Sequence, residues 1–287
     1  MCAISSIAQE ADSALARIRR ADYYATPFSG AFPILAYRLS PGGGLRVSPA
    51  LPVDYFDSQG KMLPGGPYQY GSGEFSKYGT ALVMRNGLWG MIDQHGTVLI
   101  PLQYERLEFS KHSSRWLQAR INKRWGLIDS SGLTRVIPQY DEIIDFSDHM
   151  MAVKLQDKWG FIDESGTLII PTMYNYVHRP FHEGFAAVRL SKENSVGFIN
   201  KHNECITGFR FDYPYCVNKT NAHIRDLTKY YEFKNGFALV RNNNCEIGVI
   251  NTDDQEVLPI RFYHVEVNDS TIIGHRKKRK LVYVIPR

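Results

Sequence analysis

Four cysteines in 287 residues (Cys2, Cys205, Cys216 and Cys245) are too few for a disulfide scaffold, and none sits in a C-x-x-C pair. They read as reduced structural thiols, with spacing leaving open a single bridge among Cys205, Cys216 and Cys245. No apolar run reaches the roughly 18 residues of a membrane span. Residues 1–20 include Glu10 and Asp12 and hold no apolar core. They do not read as a signal peptide, and a cytoplasmic location is expected. The sequence also lacks H-E-x-x-H, G-x-S-x-G and a Walker A segment. His178 and His182 are four apart, but Pro180 stands between them, which excludes a helical metal pair. No ten-residue helical period occurs beyond residue 24, so an α/β fold is excluded. No catalytic residue, metal or cofactor is expected, and the chain does not read as an enzyme.

Net charge is confined to one place. The net charge is +5, and Arg276, Lys277, Lys278, Arg279 and Lys280 account for it; the remainder is neutral. Such a run is a candidate anion-binding spot for nucleic acid or another anionic surface, although a solvated turn is the favoured reading.

What is present is a repeat. LWGMIDQHGTVLIP (88–101), RWGLIDSSGLTRVIP (124–138) and KWGFIDESGTLIIP (158–171) are near copies, and SVGFINKHN (195–203) and EIGVINTDD (246–254) are weaker ones. Two degenerate copies flank them, with Asp54 and Val282 where the central glycine belongs. The centres fall at 54, 90, 126, 160, 197, 248 and 282, evenly spaced except for a long step after 197. That step places an insertion within 204–232. Each unit also carries an aromatic, a polar turn and an apolar stretch before its glycine, as in FSDHMMAV (146–153) and FHEGFAAV (181–188).

Short strands joined by tight turns predict an all-β fold of about seven antiparallel meanders. A propeller-like ring is favoured over a twisted solenoid. The slot before the glycine holds Trp89, Trp125, Trp159, Val53, Val196, Ile247 or Leu281, which demands bulk and predicts core packing. The glycine itself predicts close approach of a neighbouring strand. Asp57, Asp93, Asp129, Asp163, Asn200 and Asn251 follow the centres by three residues, with Gly, Asn or Asp three further on. This is turn chemistry rather than a calcium row. His112 and His149 share the slot of Gly184 and Gly236, so a turn with positive φ is favoured there over a metal pair.

With these residues on the page, the chain resembles the WG-repeat (KWG-repeat) family. The motifs are KWGFID, RWGLID and LWGMID, each followed by glycine, an apolar pair and proline, together with the F-x-E-G-x-A-x-V stretch at 181–188. The resemblance covers about 53–287. It implies a bacterial, β-structured interaction module with a protein partner, in which no residue of the motif is a ligand or catalyst. A toxin-neutralising or accessory protein is one specialisation it suggests.

Residues 1–52 are expected to form an N-terminal helix over 5–24 and a Pro/Gly linker, ahead of a repeat domain over 53–287. Inside the insertion stand Phe209, Arg210, Phe211, Tyr213, Tyr215, Tyr230 and Tyr231. Aromatics mixed with arginine on an added segment form the candidate partner-binding site. The competing expectation is an elaboration that buries its own aromatics.

Overall fold

Alternating apolar residues and turn signals fold each repeat unit into one antiparallel sheet. The computed structural model describes residues 12–19, 23–25, 33–38, 51–72, 75–76, 79–111, 115–190, 195–212, 230–277 and 279–285. They form seven sheets in chain order. Sheet 1 comprises Tyr23–Ala25, Ile34–Arg38 and Val53–Phe56; sheet 2, Tyr70–Gly71, Thr80–Arg85, Leu88–Asp93 and Val98–Tyr104. Sheet 3 is Arg106–Phe109, Trp116–Ile121, Arg124–Asp129 and Thr134–Tyr140; sheet 4, Glu142–Ser147, Met150–Leu155, Lys158–Asp163 and Leu168–Tyr174. Sheet 5 is Tyr176–His182, Phe185–Arg189, Ser195–Asn200 and Phe211–Asp212; sheet 6, Phe233–Lys234, Phe237–Arg241, Ile247–Asn251 and Glu256–Phe262. Sheet 7 has three strands, His264–Val267, Thr271–Arg276 and Arg279–Val284. The expected all-β architecture of seven meanders is therefore present. Among the described residues no helix is long and apolar enough to cross a membrane.

The glycine of each unit has a steric cause. In sheet 4, Trp159 pairs with Tyr174 and Phe161 with Ile170, so between these pairs one residue of the third strand opposes three of the fourth. The surplus bulges across Gly160, and a Cβ there would stand 2.4 Å from the Ile170 carbonyl oxygen. Gly126 meets the Val136 oxygen in the same way, at 2.3 Å. Pro171 and Pro138 lie in these bulges, where proline's missing N–H is no loss.

Sheet 1 reverses the arrangement. Asp54 occupies the glycine place and is buried, accepting from Tyr23 Oη at 2.8 Å and Arg38 Nη2 at 3.1 Å. The opposing residue is Gly66, whose Cβ would fall 2.0 Å from Asp54 Oδ1.

Two hairpin types recur. Two-residue turns with both residues at positive φ join early strands, as at Asp148–His149 (52° and 65°) and Gln156–Asp157 (50° and 61°), the type I′ geometry that matches strand twist. His149 thus holds the expected turn position; His112 lies outside the described residues. Between third and fourth strands the Asp or Asn caps the turn. Asp163 Oδ1 accepts from the Ser165 and Thr167 amides at 2.8 and 2.9 Å, and Asn200 Oδ1 accepts from His202 and Glu204 at 3.0 and 2.9 Å. The closing residue lies at positive φ, 86° at Gly166 and 67° at Asn203.

Two compact units comprise residues 1–109 with 114–138, and 110–113 with 139–287. In the first, buried Ala14 and Ile18 of a helix over 12–19 pack on Tyr23, Ile34, Ala36 and Phe56 of sheet 1. Arg17 donates to the Gln59 carbonyl at 2.7 Å, so the helix covers the Asp57–Gly60 turn that follows the third strand of sheet 1. Further cores join sheets 1 and 2 and sheets 2 and 3. In the second unit one core joins sheets 4 and 5, and another joins sheets 5, 6 and 7. Trp159 is buried in the former. Trp89 is half-buried against Tyr70, and Trp125 lies half-buried beneath Arg120.

Three expectations need correction. Residues 23–25 and 34–38 are strands of sheet 1 rather than linker. Cys245 is disulfide-bonded rather than reduced, while Cys205 is free. The last unit's centre is Leu281, not Val282. Gly160 pairs with Val153, the second bonded pair beyond the turn that closes at Leu155 and Lys158. In sheet 7 the turn closes at Arg276 and Arg279, and the second such pair is Gly274 with Leu281.

Candidate functional site

The second unit holds sheets 4 to 7 together partly through their first hairpin turns. Gly184 N donates to Asp148 Oδ2 at 2.6 Å, and Asn235 N and Gly236 N donate to the Glu183 carboxylate at 2.7 and 2.8 Å. An acid on one turn thus clamps the amides of the next. Partial burial would raise the Asp148 carboxyl, but the Lys201 ammonium and the Gly184 amide outweigh it and hold its pKa below the usual carboxylate range.

That clamp stops at sheet 6. The place of Asp148 and Glu183 is taken by Asn235, and in the facing turn of sheet 7 Asn268 N donates to the Thr271 carbonyl at 2.9 Å. Sheets 6 and 7 part here around a cleft of about 710 Å³. Phe237, Leu239, Val265, Val267 and Ile285 give it apolar walls, and Glu232, Lys234, Asn235, Asn268 and Asp269 give it a polar rim. The volume is in the range of small-molecule and side-chain pockets. Its titratable groups are two carboxylates and one amine, suited to binding and orientation. Among the described residues no group of three or more His, Cys, Asp or Glu is placed to hold a metal ion.

The cleft residues come from three separate stretches, and sequence reading missed them. The signal that could have found them is the exchange of acid for Asn235 in the repeated turn.

The candidate partner-binding residues are dispersed. Phe211 is fully buried in the fourth strand of sheet 5, against Phe198 and opposite Val196. Tyr230 and Tyr231 are buried in the same core. Arg241, itself buried, stacks on the Tyr230 ring at 4.3 Å and donates to its hydroxyl at 3.2 Å. Tyr231 donates to the Asp212 carbonyl. Phe209 is half-buried against the sheet 4–5 core. Arg210 is exposed but grips Asp254, with 2.6 Å from Nη1 to Oδ2, tying sheet 5 to the capping turn of sheet 6. Tyr213 and Tyr215 lie outside the described residues. Burial therefore removes Phe211, Tyr230 and Tyr231 from any surface a partner could touch.

The basic residues are where the repeat alignment put them, at the last hairpin. Lys277, at φ 54°, is in the turn, and Arg276, Lys277, Arg279 and Lys280 are exposed. Arg276 reaches Glu246 at 3.3 Å and lies over the Tyr263 ring at 5.9 Å. Lys278 is outside the described residues.

The model of the WG-containing repeat family matches three tandem segments, 89–112, 125–159 and 159–192. No curated protein matches the chain by sequence. Among solved structures it is similar to virginiamycin B lyase from Staphylococcus aureus, at 15% identity, over 92% of this chain and 96% of that one, with a TM-score of 0.31. It is also similar to the dihydro-heme d1 dehydrogenase NirN (14% identity, 85% and 63% of the chains, TM-score 0.36) and to Hsv2 of Kluyvelomyces marxianus (10%, 78% and 78%, 0.33). These likenesses are distant and bear on neither activity nor ligand. Through these tandem copies within 89–192, the chain carries WG-containing repeats.

Proposed function

We propose that this chain is a non-catalytic repeat module that binds another protein, with the cleft between sheets 6 and 7 as a docking point. The carrying observation is the cleft's composition: five apolar side chains, of which Phe237, Leu239, Val267 and Ile285 are partly or fully exposed, ringed by two acids, a lysine and two amides. An aliphatic or aromatic anchor of a partner would bury its surface on Phe237, Leu239 and Val267. Its backbone or a basic group would meet Glu232, Asn235, Asn268 and Asp269. This pattern of an apolar pocket with a polar rim is the anatomy of a protein-binding hot spot. A toxin is one partner class the family resemblance suggests.

The test is a photo-crosslinking amino acid at Asn268, in cells that produce the protein. The expected result is one specific crosslinked protein, lost in Leu239→Lys. Crosslinks of equal pattern and yield in the Leu239→Lys variant, or turnover of a small molecule bound in the cleft, would remove this reading.

A further inference from the structure

We infer that the outer edge of sheet 7 accepts an extended acidic peptide as a fourth β-strand, running antiparallel to Arg279–Val284. The inference rests on the protein-binding reading and names a partner chemistry for it.

Sheets 2, 3, 4 and 6 each pair a seven-residue fourth strand onto their third strand. In sheet 7 the third strand pairs with Thr271–Arg276, and its other edge has no partner among the described residues. Its side chains are open on the same stretch, with Leu281 39%, Val282 54% and Val284 67% exposed.

The backbone groups that face this edge follow from register. Ile285 N donates to the Ser270 carbonyl, so bonded pairs toward the second strand recur at Tyr283, Leu281 and Arg279. Lys280, Val282 and Val284 therefore turn their N–H and C=O groups outward along the free edge. An open edge of this kind is a template for strand addition.

Leu281 decides what sort of strand fits. It stands in the ladder place of Gly160, where any Cβ would meet the carbonyl of a bulged fourth strand. The proline-bulged strand typical of this repeat is thereby excluded, including one donated by a second copy. The occupant is a regular, unbulged strand.

Charge decides the rest. Arg279 and Lys280 lie on the edge strand itself, and Lys277 stands in the adjoining turn. An antiparallel peptide runs toward that turn, so acidic residues at its C-terminal end meet these cations. A second copy's 279–284 strand, run antiparallel, would instead set Val284 and Ile285 beside Arg279 and Lys280 and leave them unmatched. Six paired residues span about 20 Å.

The probe is a fluorescein-labelled peptide of alternating Thr and Val with three Glu at its C-terminal end, titrated against the full chain by anisotropy. Val282→Pro removes one outward N–H and no internal bond, a substitution that edge strands tolerate. The expected result is binding that weakens about tenfold or more with Val282→Pro, and equally when alternate peptide amides are methylated. Replacing Lys277, Arg279 and Lys280 by Ser should weaken it and flatten its salt dependence.

Three outcomes overturn the inference. One is a methylated peptide that binds as well as the parent, which leaves charge alone as the cause. Another is single-stranded DNA that competes fully and is indifferent to Val282→Pro. The third is a homodimer that Val282→Pro dissociates. Any of these outcomes, with the Asn268 crosslink retained, removes the edge site and leaves the cleft reading standing. The reverse pattern removes the cleft alone.

Discussion

Gly160 lies beneath the carbonyl of Ile170, at a distance of 2.4 Å from where its Cβ would be. The contact is backbone to backbone, so no side chain can rotate away. Gly160→Ala is expected to destabilise the second unit by about 3 kcal/mol, as overpacking at a rigid contact does. Gly184→Ala tests the alternative that any repeat glycine is equally sensitive. Its φ is 86° but nothing lies within 4 Å of the added carbon, so only the backbone cost of about 1 kcal/mol applies. Urea midpoints for the two variants, followed by tryptophan fluorescence, should differ in that order.

The capping carboxylates invite a finer comparison. Asp163 accepts two amides and the Ser165 hydroxyl, while Asn200 and Asn251 do the same work without charge. Partial burial would raise the Asp163 carboxyl, but these hydrogen bonds hold its pKa below the usual range. Asp163→Asn should therefore be tolerated within about 0.5 kcal/mol at pH 7, and Asp163→Ala should cost about 1–2 kcal/mol through orphaned amides. A midpoint for the Asn variant as low as for the Ala variant would mean that charge, not geometry, caps the turn.

These turns are also where the sequence was most readable. Asp163 with Gly166, and Asn251 with Asp254, state their turn chemistry in residues three apart, and the bulge leaves its trace in Gly160 and Pro171. Leu281 was misread as Val282 because the last unit has no glycine to mark its register, and a one-residue slip is invisible without one. Tyr23–Ala25 and Ile34–Arg38 went unseen because sheet 1 stores its small residue at Gly66, on the segment facing Asp54. The cleft could not be read either. Glu232, Phe237, Val267 and Ile285 meet only once two sheets have parted. The disulfide at Cys245 was equally hidden, because spacing does not report proximity.

Phe211 separates a structural role from a binding role. It is fully buried in the core that joins sheets 5, 6 and 7. Phe211→Ala should cost about 3–5 kcal/mol, the range for emptying an aromatic site. At temperatures where the variant is still folded, capture of a partner through the cleft should be unchanged. Thermal unfolding alongside the Asn268 crosslink checks both halves. A variant of normal stability that loses its partner would restore Phe211 as a contact residue.

His178 supplies a pH dependence whose sign can be worked out. Burial, with the guanidinium groups of Arg189 and Arg179, pushes its pKa down to about 3 from an ordinary 6.5. Between those values the unfolded chain binds a proton that the folded chain refuses, so stability is complete above about pH 6.5 and falls as the solution is acidified. The slope is at most about 1.4 kcal/mol per pH unit for a single group. Asp148 and Asp163, being depressed carboxyls, contribute their own loss only near and below the ordinary carboxylate range. Urea midpoints at pH 7.5, 6.0 and 5.0 therefore isolate the histidine. His178→Phe keeps a ring against Tyr176, whose centroid lies 4.7 Å away, and should flatten the decline over this interval. An unchanged slope in that variant would assign the dependence to another group.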